Sequence, residues 1–274
     1  MNAPAFAAVQ PRAVGTARVV VRADQAGQTR IADLRMSGSL KLVFPQRFSR
    51  AAEAILVNTA GGITGGDRYA VEAQVDVGAT LSITTQAAER AYRAQPHEIG
   101  RVSTTLTVNS QGRLNWLPQE LILFDHAALQ RRLDISLARD AQLLMVEPMV
   151  FGRAAMQEVL RDVRFEDRIR ITQEGVPIFA DGMDLFGDAA THLAKPTIAN
   201  GAGAMATLVL VAPDAAAQLG PMRAMLPATA GASMLRDNVL VLRHLAADSF
   251  ELRRHLVPIL DRLTQNTLPQ SWRL

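Results

Sequence analysis

Apolar and polar residues alternate in strand-length segments, and this alternation constrains the fold of the chain more than any other feature. It dominates residues 70–172, where Val71, Ala73, Val75 and Val77 alternate with polar residues before the next segment begins. A period of two residues places one set of side chains on the buried face of a sheet. The pattern predicts a mainly β fold of stacked antiparallel sheets and hairpins, arranged as a β-solenoid-like superhelix.

Two hairpins are predicted within this region. A glycine turn is expected to join the segment 71–77 to the segment 81–83, and a polar turn is expected to join 102–108 to 114–116. Short turns of this composition commonly connect antiparallel neighbours. Sequence neighbours are therefore predicted to pair with each other within one sheet.

Two charged residues stand on faces that are otherwise apolar. Arg131 interrupts the apolar face of the segment 129–137, and Asp167 falls on the apolar side of the segment 163–171. A buried carboxylate must be paired or hydrogen-bonded. Asp167 therefore indicates a strand bulge, with an interface and a polar site as the alternatives.

Helical signals gather near the C-terminal end. Asp248 and Glu251 have the spacing of a capping pair, and the apolar residues that follow them repeat with helical periodicity. A shorter helix is predicted at residues 214–226. We therefore expect the β fold to end with about two α-helices.

Composition limits the chemistry that the chain can perform. Its 274 residues include no cysteine, which excludes disulfides, thiolate metal sites and thiol nucleophiles. The length suits a single domain over residues 1–274, with residues 1–24 as a flexible N-terminal segment. Neither a signal peptide nor a run of about 18 apolar residues is evident, so we expect a cytoplasmic protein that makes no membrane contact. The chain contains no run of basic residues of the kind that would indicate nucleic-acid binding.

The segment 58–67 concentrates backbone freedom in two glycine pairs. Gly61 and Gly66 have the spacing of a phosphate-binding loop, but Asp67 and Arg68 occupy the positions where lysine and a hydroxyl residue would be needed. The segment therefore predicts a tight loop that needs positive φ or close backbone approach, with a partner-binding or ion-lining loop as the alternative. Its candidate residues are Gly61, Gly62, Thr64, Gly65 and Gly66.

Catalytic and closed metal sites leave no local signal. The five histidines lack the spacing that aligns two imidazoles on one element, and no nucleophile elbow is present. The residues therefore favour a binding protein over an enzyme. The alternative is a hydrolase or transferase that acts on a small molecule near the loop 61–67.

Motifs along most of the chain resemble the UreD family of urease accessory proteins, called UreH in some systems. The glycine segment 58–67 is similar to the hallmark of that family. Further similar segments lie at 27–30 before it and, in order after it, at 84–88, 92–93, 116–120 and 123–124. Residues 151–158 resemble the family's F-G-R-x-A-M-G-E element, in which Gln157 replaces the expected glycine. That replacement would remove any close backbone approach that depends on glycine.

The resemblance implies a scaffold that binds urease apoprotein, UreF and the GTPase UreG and assists nickel delivery. GTP would belong to UreG, and this chain would hold no permanent cofactor but only transient nickel(II). Arg153 joins the glycine segment as a candidate partner-binding residue.

A transient nickel route should be lined by weak oxygen ligands, because a tight site would retain the ion. The candidate carboxylates are Asp67, Asp125, Glu147, Glu158 and Asp181. The alternative for each is a structural carboxylate that caps a turn or pairs with arginine. A conformational clamp on apourease that never touches nickel also remains open.

Overall fold

The computed structural model describes residues 10–46 and 49–273, which form two facing β-sheets and a small helical layer. The strands are β1 (Val14–Ala23), β2 (Thr29–Gly38), β3 (Leu40–Val43), β4 (Ala52–Asn58), β5 (Arg68–Val75), β6 (Thr80–Thr85), β7 (Glu89–Ala91), β8 (Gly100–Val108), β9 (Arg113–Leu117), β10 (Leu121–Leu123), β11 (Ala128–Leu137), β12 (Gln142–Phe151), β13 (Val163–Gln173), β14 (Val176–Gly187), β15 (Ala204–Val211), β16 (Ala230–Arg236) and β17 (Val239–Ala246). The helices are α1 (Ala189–Leu193), α2 (Ala215–Met225) and α3 (Ser249–Leu263), with short 3₁₀ turns at Ala154–Met156 and Gln270–Arg273.

Parallel pairing dominates the middle of both sheets. Sheet I has the order β14-β13-β11-β8-β5-β1-β2, and its strands from β1 to β13 run parallel. Sheet II has the order β16-β17-β15-β12-β9-β6-β4-β3, with β10 beside β12 and β7 beside β10. Its strands from β4 to β12 are also parallel. Antiparallel pairs occur toward the edges, at β1/β2, β13/β14, β3/β4 and from β12 through β15 and β17 to β16.

Between β4 and β13 the chain passes repeatedly from one sheet to the other, so it winds in stacked coils. The predicted mainly β, solenoid-like fold is confirmed. The two predicted hairpins are wrong. β5 pairs with β8 rather than with β6, and β9 pairs with β6 and β12 rather than with β8. Alternation identifies the buried face of a strand but not its partner, and a short turn can connect two strands across the sheets as well as within one.

The main core lies between the sheets and explains the alternation. Inward residues such as Val71, Val75 and Leu106 from sheet I meet Leu81 and Leu114 from sheet II. A second core lies between the other face of sheet II and helices α2 and α3. Both faces of sheet II are therefore covered, which accounts for the continuous apolar sequence of β12 and β15.

The helices agree with the capping signals. The side chain of Asp248 accepts a hydrogen bond from the backbone N–H of Glu251 at 2.9 Å and begins α3. Residues 215–225 of the predicted helix 214–226 form α2. Among the described residues, no helix is long and apolar enough to cross a membrane.

The N-terminal segment differs from its prediction in part. Residues 14–23 of the segment expected to be flexible form β1, whose Ala17, Val19 and Val21 are buried in the main core. β1 lies between β2 and β5, so it is an integral strand of sheet I. Residues 1–9 lie outside the described residues.

Candidate functional site

A charged cluster interrupts the apolar core between the sheets. Arg131 of β11 and Asp167 of β13 are direct partners in the register of sheet I, and Glu147 of β12 faces them from sheet II. Arg131 donates to Glu147 Oε2 at 3.0 Å through Nη1 and to Asp167 Oδ2 at 2.5 Å through Nη2. Glu147 and Asp167 are only 8% and 6% exposed. We call these three residues the interior charge cluster.

The pKa values of Arg131 and Glu147 each depend on the charges of the other residues in the cluster. Burial raises the pKa of Glu147, while the positive charge of Arg131 opposes that rise. Burial also lowers the pKa of Arg131, but the charges of Asp167 and Glu147 outweigh burial and raise it overall. Trp116 donates from Nε1 to Glu147 Oε1 at 2.7 Å. Arg131 Nε is buried without a hydrogen-bond partner, so the guanidinium is not fully satisfied.

Two cavities adjoin the cluster, and Glu147 and Asp167 line both of them. The larger has a volume of about 100 Å³ and is bordered by Arg131 and by Glu89 near the glycine segment. The smaller has a volume of about 20 Å³ and is bordered by Asp181. The two carboxylates therefore belong to the linings of both spaces.

An ion pair borders the smaller cavity. Asp181 of β14 accepts a hydrogen bond from Arg243 of β17, so the pair bridges sheet I and sheet II. Both side chains are partly exposed. The polar lining of the interior thus extends from the cluster to a solvent-accessible pair.

Glu89 contributes a further acid to the larger cavity. Its Oε2 accepts a hydrogen bond from Asn58 Nδ2 at 3.1 Å, and burial raises the pKa of its carboxyl group. Sequence patterns did not single out this residue. The strand β7 has three residues and is too short to show periodicity. Only the folded structure brings Glu89 within hydrogen-bond distance of Asn58.

The side chain of Asp67 accepts hydrogen bonds from the backbone of the glycine loop and of the segment before β1. This side chain is buried and accepts backbone N–H bonds from Thr64 and Ala13, each at 2.8 Å. Thr64 also donates from its hydroxyl group to the carbonyl of Arg93 at 2.8 Å. Each carboxylate oxygen of Asp67 therefore accepts a backbone hydrogen bond that ties the loop together.

The glycines of this loop serve close approach and positive φ, as predicted. A Cβ at Gly62 would lie 2.2 Å from the Tyr92 ring, and Gly66 has a φ of +85°. The carbonyl of Gly61 accepts a bond from the Tyr92 hydroxyl at 3.2 Å. Gly65 packs against Ala94. The loop is thus built tightly around Tyr92.

Aromatic and basic side chains gather beside the loop. The rings of Tyr92 and Phe124 meet edge to face with centroids 5.0 Å apart, and the Arg153 guanidinium lies 4.2 Å from the Phe124 centroid. Glu158 accepts two bonds from the Arg153 side chain, at 2.9 and 3.0 Å. We call residues 61–66 together with Tyr92, Phe124, Arg153 and Glu158 the loop corner.

The element 151–158 explains its departure from the expected glycine. Gln157 has a φ of 53°, which places it in the left-handed region favoured by glycine. Its side chain is exposed, so no close backbone approach is required at this position. Positive φ, rather than close backbone approach, is therefore the physical reason that glycine suits this position.

Asp125 lies beside the loop corner. It accepts backbone bonds from Arg161 at 2.7 Å and Asp162 at 3.0 Å, and these bonds hold its pKa below the ordinary value despite opposing burial. Its own N–H donates to Glu158 at 3.3 Å. Asp125 and Glu158 are therefore structural carboxylates of the same region.

The five predicted nickel-route carboxylates do not form one group. Glu147 and Asp181 border the smaller cavity, Asp125 and Glu158 lie together at the loop corner, and Asp67 is inside the loop. Within residues 10–46 and 49–273, no three acidic or imidazole groups are placed to hold a metal ion.

Asp167 belongs with the interior carboxylates, and its predicted bulge is wrong. The register of β13 is regular at this residue, with its shift farther along at Ile171. The carboxylate is accommodated on the inward face because Arg131 lies directly opposite in the neighbouring strand. The alternative of a polar site is the one that the structure adopts.

Comparisons with known proteins agree along almost the whole chain. The family model described as UreD urease accessory protein matches residues 13–273. A protein named urease accessory protein UreD from Ruegeria pomeroyi is 56% identical over 87% of this chain and 93% of its own length. Proteins with the same name from Roseobacter denitrificans and Sinorhizobium medicae are 49% and 41% identical, over 97% and 98% of this chain and 96% and 99% of their own lengths.

Proposed function

Since the chain belongs to the UreD family of urease accessory proteins, we propose that it delivers nickel to urease as a binding subunit without catalysis of its own. In this proposal it binds urease apoprotein together with UreF and UreG in the cytoplasm. Nickel is a transient cargo, GTP is bound by UreG, and this chain carries no permanent cofactor.

The observation that carries the proposal is that Glu147 and Asp167 line two cavities, one on the side of Arg131 and Glu89 and one on the side of Asp181. Carboxylates are weaker ligands for nickel than imidazole or thiolate clusters. Glu147, Asp167 and Asp181 would therefore contact the ion in succession without retaining it. A series of weak oxygen contacts suits an ion that has to be released to another protein.

The loop corner supports a partner-binding role at a separate surface. Tyr92 is partly exposed, and Met156, which follows Arg153 in the 3₁₀ turn, is 68% exposed. Tyrosine, arginine and methionine are enriched in protein interfaces. We assign this surface to contact with the urease maturation complex, while the interior carries the ion.

Substitution of two interior carboxylates tests the route. Glu147→Gln and Asp181→Asn remove charge with little change in volume, and Asp134→Asn is the matched control because Asp134 pairs with Arg132 on the outer face of sheet I. Each variant is co-expressed with the urease subunits, UreF and UreG. The measurements are copurification of the complex, nickel bound per urease and urease activity.

The nickel route predicts that both interior variants form the complex but load several-fold less nickel than the wild type and the Asp134→Asn control. Normal nickel loading in both interior variants would contradict the route. A clamp that never touches nickel predicts that loading falls only where copurification also falls.

A further inference from the structure

We infer that Arg131 is a tethered competitor that keeps the interior carboxylates closed to a divalent cation. The ion enters between Glu147 and Asp167 only when the guanidinium withdraws. This inference rests on the proposed nickel route and adds a regulatory group to it. It identifies a divalent-cation site whose affinity is set by a residue of the same chain.

The charges favour a divalent ion at this position. One guanidinium opposite two carboxylates leaves the interior charge cluster with one excess negative charge when both acids are ionised. A divalent cation would neutralise both carboxylates. Because the cluster is buried, charges interact more strongly there than they would at the surface.

The contacts of Arg131 also suit exchange. Its two terminal nitrogens bind separate carboxylates on opposite sheets instead of forming a paired contact with one carboxylate. A bidentate contact with one carboxylate would be the stronger arrangement. The remaining donor, Arg131 Nε, is buried without a partner. The contacts of Arg131 therefore leave part of its guanidinium unsatisfied in this position.

Space for withdrawal lies on the same side as the guanidinium. Arg131 lines the cavity of about 100 Å³, and Glu89 borders that cavity as another acid. The smaller cavity lies beyond Glu147 and Asp167. An ion arriving from the Asp181 side would therefore meet the carboxylates while the arginine has room to move away from it.

Arg132 provides a matched control on the same strand. It points to the outer face of sheet I and pairs with Asp134 at 2.5 Å. Both residues border the larger cavity and carry the same charge, but the Arg131 side chain is only 15% exposed and binds Glu147 and Asp167, whereas the Arg132 side chain is 66% exposed and binds neither of them. Replacement of either arginine by methionine removes one positive charge while keeping a long apolar side chain.

Nickel titration of the purified full-length chain tests the inference by calorimetry and by thermal unfolding. The samples are wild type, Arg131→Met, Arg132→Met and the double variant Arg131→Met, Glu147→Gln. Removing the competitor should raise nickel affinity about tenfold or more, because the wild-type site is open for only a small fraction of the time. Nickel should also raise the unfolding temperature of Arg131→Met far more than that of Arg132→Met.

The double variant locates the ion. If nickel binds at the cluster, Glu147→Gln should remove most of the affinity gained by Arg131→Met. Equal nickel affinity in Arg131→Met and Arg132→Met would overturn the inference. Retention of the gain in the double variant would also overturn it, because the ion would then be bound elsewhere.

Arg131→Lys keeps the test decisive if Arg131→Met does not fold alone. Lysine retains the charge but lacks the planar fork that reaches two carboxylates, so nickel affinity should lie above the wild-type value. Nickel-dependent recovery of folded Arg131→Met supports the inference. Unchanged nickel affinity in Arg131→Lys, together with no recovery of Arg131→Met, contradicts it.

Failure of this inference and failure of the proposed function have different signatures. The titrations use the isolated chain, whereas nickel loading of co-expressed urease measures the proposed function. If Arg131→Met gains nickel affinity while Glu147→Gln loads urease normally, the inference that Arg131 competes with a divalent cation stands. The proposed delivery route is then refuted. Reduced loading in Glu147→Gln without an affinity gain in Arg131→Met would have the opposite meaning.

Discussion

The carboxylates in and beside the loop corner are held by different donors from those of the interior charge cluster. Asp67, which closes the glycine loop, accepts two backbone N–H bonds, while Glu158 accepts bonds from the backbone and side chain of Arg153. In the cluster, Glu147 and Asp167 are held instead by side chains, above all by Arg131. Backbone donors cannot leave without unfolding the segment, whereas a side-chain cation can change position.

This difference separates carboxylates that fix structure from those that can exchange a cation. The structural alternative for every predicted nickel ligand was a carboxylate that caps a turn or pairs with arginine. Asp67 and Asp125 fit its first form. The carboxylates paired with arginine are Glu147, Glu158 and Asp181. Glu147 differs because cavities adjoin it on both sides of the cluster. Residue type alone therefore does not distinguish an ion-route acid from a structural acid.

The largest expected effect is on the cluster. Arg131→Met should lower the free energy of unfolding by about 3–5 kcal/mol without nickel, because it leaves two carboxylates buried without their cation. Arg132→Met should change it by less than about 0.5 kcal/mol, as expected for an exposed pair. Urea denaturation of both variants measures the contrast.

Replacing all three charged residues of the cluster separates their contribution to stability from their role in nickel delivery. Arg131→Met combined with Glu147→Gln and Asp167→Leu should recover most of the lost stability, since apolar replacement of a buried ion network is often tolerated. The triple variant should not deliver nickel. Full nickel delivery by a stable triple variant would remove any cation-exchanging role from the cluster and break the comparison with the loop corner.

The loop carboxylate is expected to show a smaller stability effect and no recovery by nickel. Asp67→Ala should cost about 2–3 kcal/mol because it leaves the backbone N–H groups of Thr64 and Ala13 without their acceptor. Asp67→Asn, which keeps one carbonyl acceptor, should cost less. Chemical denaturation with and without nickel measures both effects, and nickel rescue of Asp67→Ala would contradict its structural assignment.

Gly62→Ala should destabilise the loop corner by about 1–3 kcal/mol through overpacking. The added Cβ would meet the Tyr92 ring at 2.2 Å and the carbonyl oxygen of Arg90 at 2.9 Å. Gly61→Ala is a matched control for crowding because its added Cβ meets nothing within 4 Å, although its φ of +78° is still unfavourable for alanine. Denaturation of the two variants separates close approach from backbone strain.

Glu89 adds a pH test at the larger cavity. Burial raises the pKa of its carboxyl group above the ordinary value of 4.5, so the folded chain retains the proton more strongly than the unfolded chain. Its stabilising contribution is present below the unfolded pKa and is lost as pH rises through the folded pKa. The stability of wild type relative to Glu89→Gln should therefore fall with rising pH above 4.5.

Denaturation of wild type and Glu89→Gln across acidic and neutral pH measures that trend. Glutamine retains a carbonyl oxygen that can accept the Asn58 hydrogen bond. A pH-independent difference between the two proteins would contradict the raised pKa of Glu89. Glu72→Gln on the outer face of sheet I is the exposed control.

Local sequence patterns predicted the buried faces of strands and the cap of α3, but they did not predict which strands pair. The alternating residues of β5 and the capping pair of α3 form as predicted. Parallel pairing of β5 with β8 depends on contacts far apart in the chain, and the alternation of β5 is equally compatible with a hairpin. Tertiary stacking therefore decided the topology.

The candidate site shows the same limit. Arg131 and Asp167 were visible as charges on apolar faces, but only the parallel register makes them direct neighbours. Glu147 lies on the opposite sheet, and Glu89 borders the larger cavity that Arg131, Glu147 and Asp167 also line. Long-range assembly thus converts isolated charged residues into a shared route, which a linear spacing pattern cannot encode.

A small stabilisation at Gln157 would sharpen the assignment of the loop corner. Gln157→Gly should raise the free energy of unfolding by about 0.5 kcal/mol, because relief of left-handed strain exceeds the added entropy cost of glycine. Gln111→Gly, at another described residue with positive φ, is a useful control for backbone relief.

Nickel titration distinguishes local stabilisation from an effect on the ion route. The neighbouring Glu158 is fixed by backbone and side-chain bonds from Arg153, so Gln157→Gly should leave nickel affinity unchanged. A change in nickel affinity equal to that of Arg131→Met would connect the loop corner to cation exchange. Because Gln157 and Arg131 lie in different regions of the fold, such a result would require coupling between structural and exchangeable carboxylates.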